Sequence, residues 1–153
     1  MELKDVLDKN LVKIGLDVKN KDDALHQLAN VLCENGYIDD VSIFVKDIYL
    51  REEEGVTGIG NGIAIPHGKS DSAQRPGIAI ARLKNPIKWE TLDGNDVDTI
   101  FLFCVSTDAN FARNHMLMLS KVAAKIADDD LLERVKTSTT SEQLISYMTG
   151  ELE

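Results

Sequence analysis

Three short apolar runs in the middle of the chain restrict the fold more than any other feature. They are GIAI at 62–65, GIAIARL at 77–83 and DTIFLFCV at 98–105, each bounded by Gly, Pro, Asn or Asp. Such runs are typical of buried β-strands. The connection between the second and third runs is too short for a helical crossover, so the pattern predicts a mixed sheet rather than a wholly parallel one.

Helical patterns precede these runs. After a strand-like segment at 11–18, apolar residues recur at helical spacing in 22–36 and again in 39–55, where Asp39 or Asp40 fits the N-cap. Glycines at 36 and 55 mark the expected ends. His26 is out of phase with the apolar stripe of the first helix, so it is predicted to lie on the surface.

Helical patterns also follow the apolar runs. A long helix is predicted from residue 110, then a helix at LLERVK, and then a last helix that starts near Thr140 with Gln143 in capping-box spacing and ends at Gly150. The long helix is predicted to bury one stripe of side chains: Met116, Leu119, Val122, Ala123 and Ile126.

A chain of 153 residues is long enough for one core and does not require a second. Helices before and after the strand-like runs predict an α/β fold. We therefore expect a single domain over residues 1–153, with a mixed parallel and antiparallel β-sheet flanked by helices on both faces. Trp89, the only tryptophan, is expected to pack over an end of that sheet.

Charge and hydropathy exclude several classes of ligand and location. The formal charge of −9 opposes binding to nucleic acid or to anionic lipid. The N-terminus MELKDVLDKN lacks the apolar region of a signal peptide, and IFLFCV at 100–105 is too short to cross a bilayer. These features predict a cytoplasmic protein with no direct membrane insertion.

Cysteine and histidine spacing gives no indication of a metal or a nucleotide. Cys33 and Cys104 each lie in an apolar pattern and are expected to be reduced core thiols, although a catalytic thiol stays open. The histidines are far apart and no CxxC or HxH occurs, so no metal site is expected. GIGNGI lacks the last glycine of a dinucleotide-binding loop, and no phosphate-binding lysine motif is present, so no cofactor is expected.

The segment TGIGNGIAIPHGKSD at 57–71 contains the strongest candidate for chemistry, His67. Pro66 restricts the backbone before it, and Gly68 leaves the imidazole accessible. A neutral imidazole is a competent nucleophile for phosphorus, and its N-phosphoryl form can pass the group on. An isolated histidine is more often a loop residue, but here cationic and polar side chains that can bind phosphoryl oxygens are close in sequence: Arg51, Thr57, Asn61 and Lys69.

The chain resembles the enzyme IIA domains of the fructose–mannitol type in the bacterial sugar phosphotransferase system. The residues that satisfy the pattern of that family are Glu52, Ile59-Gly60 and Ile63-Ala64-Ile65-Pro66-His67-Gly68. Similarity continues through RPGIAIARLKNPIKWETLDGNDVDTIFLFCV and NHMLMLSKVAAKIADD, so it covers nearly the whole chain. The segment PGIAIARLKNPIKW is most like chains of the fructose type.

The resemblance implies a phosphoryl carrier. His67 would accept phosphate from the phosphocarrier protein HPr and give it to a cysteine of a sugar-specific IIB component, in association with a membrane IIBC complex. It also implies roles beside the site for His115, as a second histidine, and for Arg51, as the basic residue. On periodicity alone, His115 could equally be a helix-surface residue.

Two alternatives remain at this point. Nitrogen-related enzyme IIA proteins share TGIGNGIAIPHG-like loops but regulate by phosphorylation-dependent binding to other proteins. A non-catalytic interaction domain that keeps the fold and uses the pocket to bind a ligand is the third interpretation. The residues do not indicate the sugar, because in this family the sugar is recognised by the membrane component and not by this domain. They also do not distinguish transport from regulation.

Overall fold

The computed structural model describes residues 3–150, with the exception of the side chains of residues 109–112. Within that part of the chain the sheet has six strands: β1 (Val12–Leu16), β2 (Gly58–Gly60), β3 (Ile63–Ala64), β4 (Lys69–Ser70), β5 (Gly77–Ile87) and β6 (Val97–Ser106). The α-helices described are α1 (Lys21–Glu34), α2 (Val41–Glu52), α3 (Ala109–Ile126), α4 (Asp129–Thr137) and α5 (Ser141–Thr149).

The strands form a mixed sheet in the order β1-β5-β6-β3-β2, with β4 pairing to β6 as well. β5 and β6 are antiparallel, as their short connection predicts, whereas β1 is parallel to β5 and both β3 and β4 are parallel to β6. The prediction of a mixed sheet is therefore confirmed.

Both faces of the sheet are covered. Along β6, Ile100, Leu102 and Cys104 pack with α1 and α2, while the intervening Phe101 and Phe103 pack with α3, α4 and α5. This alternation follows from the pleat, since successive side chains point to opposite faces. Two apolar clusters result, one on each side, and the prediction of helices on both faces is confirmed.

The helix ends largely follow the capping signals. Asp40, and not Asp39, caps α2 by accepting a hydrogen bond from the Ile43 N–H at 3.0 Å. Thr140 caps α5 in the same way, and Gly150 ends it with a φ of 79°. In residues 3–150, no helix has the length and apolar content that crossing a bilayer requires.

The predicted buried stripe of α3 is wrong at Met116, whose side chain is 69% exposed. Val122 and Ile126 are buried as predicted, and among the described side chains of this helix they are joined by Met118, which the prediction omitted. These three residues recur every four positions and therefore lie on one face. Met116 precedes Met118 by two residues, about 200° around a helix of 3.6 residues per turn, and so lies on the opposite side.

The glycine-rich stretch before His67 is not an open loop. It forms a hairpin in which β2 pairs antiparallel with β3 and Asn61-Gly62 form the turn. Both turn residues have positive φ, as does Gly60 at the end of β2. β2 and β4 were not predicted from the sequence, because they are too short to show a periodic pattern. The glycines of this stretch therefore serve the tight turn and close backbone packing.

Gly58 offers a test of that close packing. A Cβ built on it would lie 2.3 Å from Thr91 Cγ2 and 2.6 Å from the Glu90 carbonyl oxygen, whereas a Cβ on Gly55 would meet nothing within 4 Å. Gly58→Ala should therefore lower the free energy of unfolding by about 1–3 kcal/mol, as overpacking does. Gly55→Ala is the control and should change it by less than about 0.5 kcal/mol. Urea unfolding of both variants checks this, and equal effects would contradict the contact.

Candidate functional site

His67 lies in an interruption between two strands that follow the same edge of β6. β3 places Ala64 opposite Ile100, and β4 places Lys69 opposite Val105. Between them, the Phe103 N–H donates to the Pro66 carbonyl oxygen at 3.0 Å. The short segment 65–68 is thus anchored along its length to a buried strand, which restricts where the imidazole of His67 can lie.

A single hydrogen bond determines the tautomer of His67. Its Nδ1 lies 2.9 Å from the Ile65 carbonyl oxygen. Because a carbonyl oxygen can only accept, Nδ1 carries the hydrogen in the neutral ring. The lone pair of neutral His67 is therefore on Nε2, and Nε2 is the nitrogen available as a nucleophile.

The second histidine is brought to the first by α3. His115 is the seventh residue of that helix, and its ring centroid lies 5.2 Å from that of His67, with the two planes at 42°. The edge of Phe103 supports the His115 ring at a centroid distance of 5.5 Å. The sequence left open whether His115 lies on the helix surface, and the structure places it against His67.

Gly68 brings α2 against the histidine segment. A Cβ on Gly68 would lie 2.8 Å from the carbonyl oxygen of Asp47, so the two backbones are in direct contact. Arg51 follows Asp47 by one helical turn and lies on the same side of α2. Its Nη1 donates to the Gly55 carbonyl oxygen at 3.1 Å, which holds the guanidinium at the end of the helix.

These side chains line an open cavity of about 690 Å³. Its cationic and imidazole groups are joined by acidic and apolar residues. The full lining is Asp47, Leu50, Arg51, Glu54, His67, Gly68, Lys69, Val105, His115, Met116 and Leu119. An arginine and neutral imidazoles suit a phosphoryl group, and an apolar rim suits a protein partner. Among the residues that the structure describes, no cluster of three or more His, Cys, Asp or Glu side chains is placed to hold a metal ion.

Both site histidines are held in the neutral form. Burial lowers the pKa of His67, the hydrogen bond to the Ile65 carbonyl opposes that effect, and the charge of Arg51 lowers the pKa further. Burial is also the main cause for His115, and the adjacent His67 and Lys69 add to it, lowering the pKa of His115 to about 4. Near neutral pH, Nε2 of His67 is therefore unprotonated and able to attack phosphorus.

Two residues predicted to contact the phosphoryl group do not line the cavity. Asn61 lies at the tip of the β2–β3 hairpin, where its N–H donates to Asp93 at 3.0 Å and its carbonyl accepts from Lys136. Thr57 is buried at 2% exposure, and its hydroxyl donates to Glu52. Both were predicted to lie in the glycine-rich loop that leads to His67, whereas the hairpin carries Asn61 away and the Thr57 side chain is buried.

The sequence analysis also missed residues that line the cavity. Asp47, Leu50 and Arg51 are three and four residues apart along α2 and so share one helix face, and Glu54 lies in the turn that follows this helix. The sequence contained a signal for the residues of α2, because they lie outside its buried stripe of Phe44, Val45 and Ile48. Met116 was missed because its helix phase was wrongly assigned.

The comparison with known families assigns the chain to a class. Residues 5–150 match the model of the type-2 EIIA domain of the phosphoenolpyruvate-dependent sugar phosphotransferase system. The chain belongs to that family, and with it to a class of phosphotransfer proteins.

Curated relatives fall in two groups. The chain is 29% identical over 149 residues to the 2-O-alpha-mannosyl-D-glycerate-specific EIIABC component of Escherichia coli K12, with 97% of this chain and 22% of that protein covered. It therefore spans about a fifth of that relative. It is 30% identical over 151 residues to the nitrogen regulatory protein of Klebsiella oxytoca, with 97% and 91% covered.

Solved structures show the same fold. The nitrogen regulatory protein IIA-Ntr of Neisseria meningitidis superposes with a TM-score of 0.86 at 25% identity, covering 96% of this chain and 99% of that one. The mannitol enzyme IIA of Escherichia coli, solved in complex with phosphorylated enzyme IIB, superposes with a TM-score of 0.78 at 16% identity, covering 94% and 97%. The α/β architecture described above is thus that of enzyme IIA proteins.

The lowered pKa of His115 makes stability depend on pH. As the pH falls below about 6.5, the unfolded chain binds a proton at His115, whereas the folded protein binds it only near pH 4. This histidine should therefore make the free energy of unfolding decrease between pH 6.5 and 4. In His115→Gln that decrease should be smaller, as measured by urea unfolding at a series of pH values. An unchanged pH dependence in the variant would contradict the burial of this imidazole.

Proposed function

We propose that the chain is a phosphoryl carrier in which Nε2 of His67 accepts the group from phosphorylated HPr and passes it to a cysteine of a sugar-specific IIB protein. The observation that carries this proposal is the 2.9 Å bond from Nδ1 of His67 to the Ile65 carbonyl. It leaves Nε2 as an unprotonated nucleophile in a ring beside Arg51 and His115.

The two transfers balance without a cofactor. In the first, the Nε2 lone pair of His67 forms a bond to phosphorus while the bond from phosphorus to the donor's imidazole nitrogen breaks, and the donor nitrogen keeps the electron pair. In the second, a cysteine thiolate of IIB forms the new bond to phosphorus, and the pair of the breaking bond returns to Nε2. The hydrogen on Nδ1 stays in place throughout.

The cavity supplies the groups that such a transfer requires. The phosphoryl oxygens carry most of the charge in the transition state, so catalysis depends on positioning and on neutralising those oxygens. Arg51 is the permanent cation of the site, and Lys69 adds a second positive charge. The neutral ring of His115 can donate an N–H to the same oxygens.

The rim of the cavity supports a protein as donor and acceptor. Leu50 and Met116 line it with 51% and 69% of their surface exposed. Exposed apolar residues around a charged centre are typical of interfaces that cover a reacting group. The mannitol relative solved with its IIB supports this kind of partner for the present chain.

The finer assignment concerns the partner. The fructose-like segment at 76–89 favours a fructose-type IIB in a membrane IIBC complex as the acceptor. The second candidate is nitrogen-type regulation, and the similarity to nitrogen regulatory proteins over 91% of their length favours it. In that case phosphorylation of His67 would alter binding to a regulated protein, and no sugar transporter would receive the group.

Replacement of His67 should abolish phosphorylation. Wild-type chain incubated with phosphorylated HPr should acquire acid-labile, base-stable phosphate, and His67→Gln should acquire none, because no other described histidine combines this nucleophilic nitrogen with Arg51. His26→Gln is the matched control, since His26 is on the surface of α1 and should be labelled like wild type. Labelling of His67→Gln would overturn the proposal.

Transfer from the labelled chain separates the two candidates. When labelled protein is mixed with a fructose-type IIB, transport predicts rapid loss of label from the histidine and its appearance on the IIB cysteine. Regulation predicts that the label is retained, together with a difference in protein binding between the phosphorylated and unphosphorylated chains.

Charge on the apolar rim should slow transfer without affecting the fold. Met116→Glu places a carboxylate where the partner is expected to exclude water, and the rate of phosphorylation by HPr should fall by about tenfold, the effect of a residue worth roughly 1.4 kcal/mol at an interface. Leu92→Glu is the control, because Leu92 is 74% exposed on a loop outside the cavity. Equal rates for the two variants would argue against docking at this rim.

A further inference from the structure

A buried polar cluster lies next to the cavity but lines none of it. It consists of Lys21, Glu52 and Thr57, and is called here the Glu52 cluster. The side chain of Glu52 is 8% exposed, and its Oε2 lies 3.0 Å from Nζ of Lys21. Its other oxygen accepts the hydrogen bond from the Thr57 hydroxyl. A carboxylate so fully removed from water requires such partners, so the arrangement is specific.

Lys21 is itself held on several sides. It makes a second ion pair with Glu90 at 2.9 Å, and its ammonium lies 4.9 Å from the ring centroid of Trp89. The side chain of Lys21 is 15% exposed, whereas that of Glu90 is 61% exposed. Glu90 therefore contributes an exposed and weak ion pair, while Glu52 is the partner that Lys21 needs inside the protein.

A chain of hydrogen bonds leads from this cluster to His67. Thr57 donates its hydroxyl to Glu52, and its carbonyl oxygen accepts the N–H of Ile65 at 2.9 Å. The carbonyl oxygen of Ile65 in turn accepts the hydrogen on Nδ1 of His67 at 2.9 Å. The acceptor that determines the His67 tautomer thus belongs to a residue whose own N–H is held by Thr57.

We propose that Glu52 is a positioning residue for His67, acting through Thr57 and Ile65 to keep the hydrogen on Nδ1 and the lone pair on Nε2. Free neutral histidine favours the opposite tautomer, with the hydrogen on Nε2, which could not attack phosphorus. Displacement of the Ile65 carbonyl therefore removes the nucleophile even when the ring stays in the cavity. The part of this proposal that concerns transfer rate rests on the phosphoryl-carrier function, and the part that concerns the tautomer does not.

The charge of Glu52 acts in the same direction. The ring of His67 becomes more positive as Nε2 bonds to phosphorus, and a fixed carboxylate near the ring stabilises that positive charge. The same carboxylate works against the effect of burial on the pKa of His67. Arg51, the neighbour of Glu52 in α2, lines the cavity and can neutralise the phosphoryl oxygens. Adjacent residues therefore provide opposite charges, one for the phosphoryl group and one for the ring of His67.

Thr57 is suited to the test because valine keeps its shape without the hydroxyl, and serine keeps the hydroxyl with the loss of one methyl group. Thr57→Val removes the hydroxyl that donates a hydrogen bond to Glu52, and Thr57→Ser keeps that hydroxyl. Glu52→Ala removes the other partner, and Glu90→Gln is the matched control because it also contacts Lys21 but has no bond to Thr57. Two quantities are measured for each variant: the tautomer of His67 from imidazole nitrogen shifts by NMR at neutral pH, and the rate of phosphorylation by phosphorylated HPr.

Thr57→Val and Glu52→Ala should both lower the fraction of His67 that carries hydrogen on Nδ1. Both should slow phosphorylation, by up to about a hundredfold, since small misplacements have effects of that size. Thr57→Ser and Glu90→Gln should behave like wild type. Phosphorylation of the double variant, Thr57→Val with Glu52→Ala, should be little slower than that of either single variant, because the two residues act through one hydrogen bond.

Three results would overturn the positioning role. One is a wild-type tautomer of His67 in both Thr57→Val and Glu52→Ala. Another is a loss of the Nδ1–H tautomer in Thr57→Val that also occurs in Thr57→Ser. The third is additive losses in the double variant, which would mean independent structural effects. If the wild-type chain is not labelled by phosphorylated HPr, the carrier function fails, while the tautomer measurement still decides the positioning role. If Glu52→Ala does not fold, the two Thr57 variants decide it.

Discussion

The pairing of segment 65–68 with the edge of β6 is the interaction on which the site depends. β3 and β4 fix the two ends of this segment, and the bond from Phe103 to Pro66 fixes its middle. β6 is buried on both faces by helices, so it cannot shift without disturbing both apolar clusters. The segment that carries His67 is therefore held by the rigid core.

Helices bring the remaining groups to that segment from opposite faces of the sheet. α2 approaches on one side, where the absence of a Cβ on Gly68 permits contact with the backbone at Asp47 and so places Arg51. α3 approaches on the other side and places His115 against His67. The cavity lies where both helices meet the sheet edge, and for this reason its residues come from distant parts of the chain.

The electrostatics of the site follow from the same geometry. Partial burial favours the uncharged forms of His67 and His115, so the positive charge of the cavity resides on Arg51 and Lys69. In a chain of net charge −9, these two cations lie in a cavity that is also lined by the acidic Asp47 and Glu54. The division suits a carrier, because a neutral imidazole can accept and release phosphate while the cations remain in place.

Local sequence determined much of this protein. The caps at Asp40 and Thr140, the buried stripes of α1 and α2, and the strand character of β5 and β6 all follow from periodicity and short-range hydrogen bonding. His67 could be singled out because proline and glycine flank it, and the pattern around it indicated its family. The mixed sheet followed from the length of a single connection.

Only the tertiary structure decided what surrounds His67. Contacts between residues distant in sequence place His115 beside it, bring α2 against Gly68 and turn Thr57 inward. The Asn61-Gly62 turn, in which both residues have positive φ, carries Asn61 away from it. The phase of α3, which exposes Met116, also depends on which face the sheet covers. Sequence singled out His67 as the proposed nucleophile, because proline and glycine act locally. The fold determined which of its nitrogens is free, because that depends on a carbonyl held by a buried network assembled from α1, α2 and the hairpin.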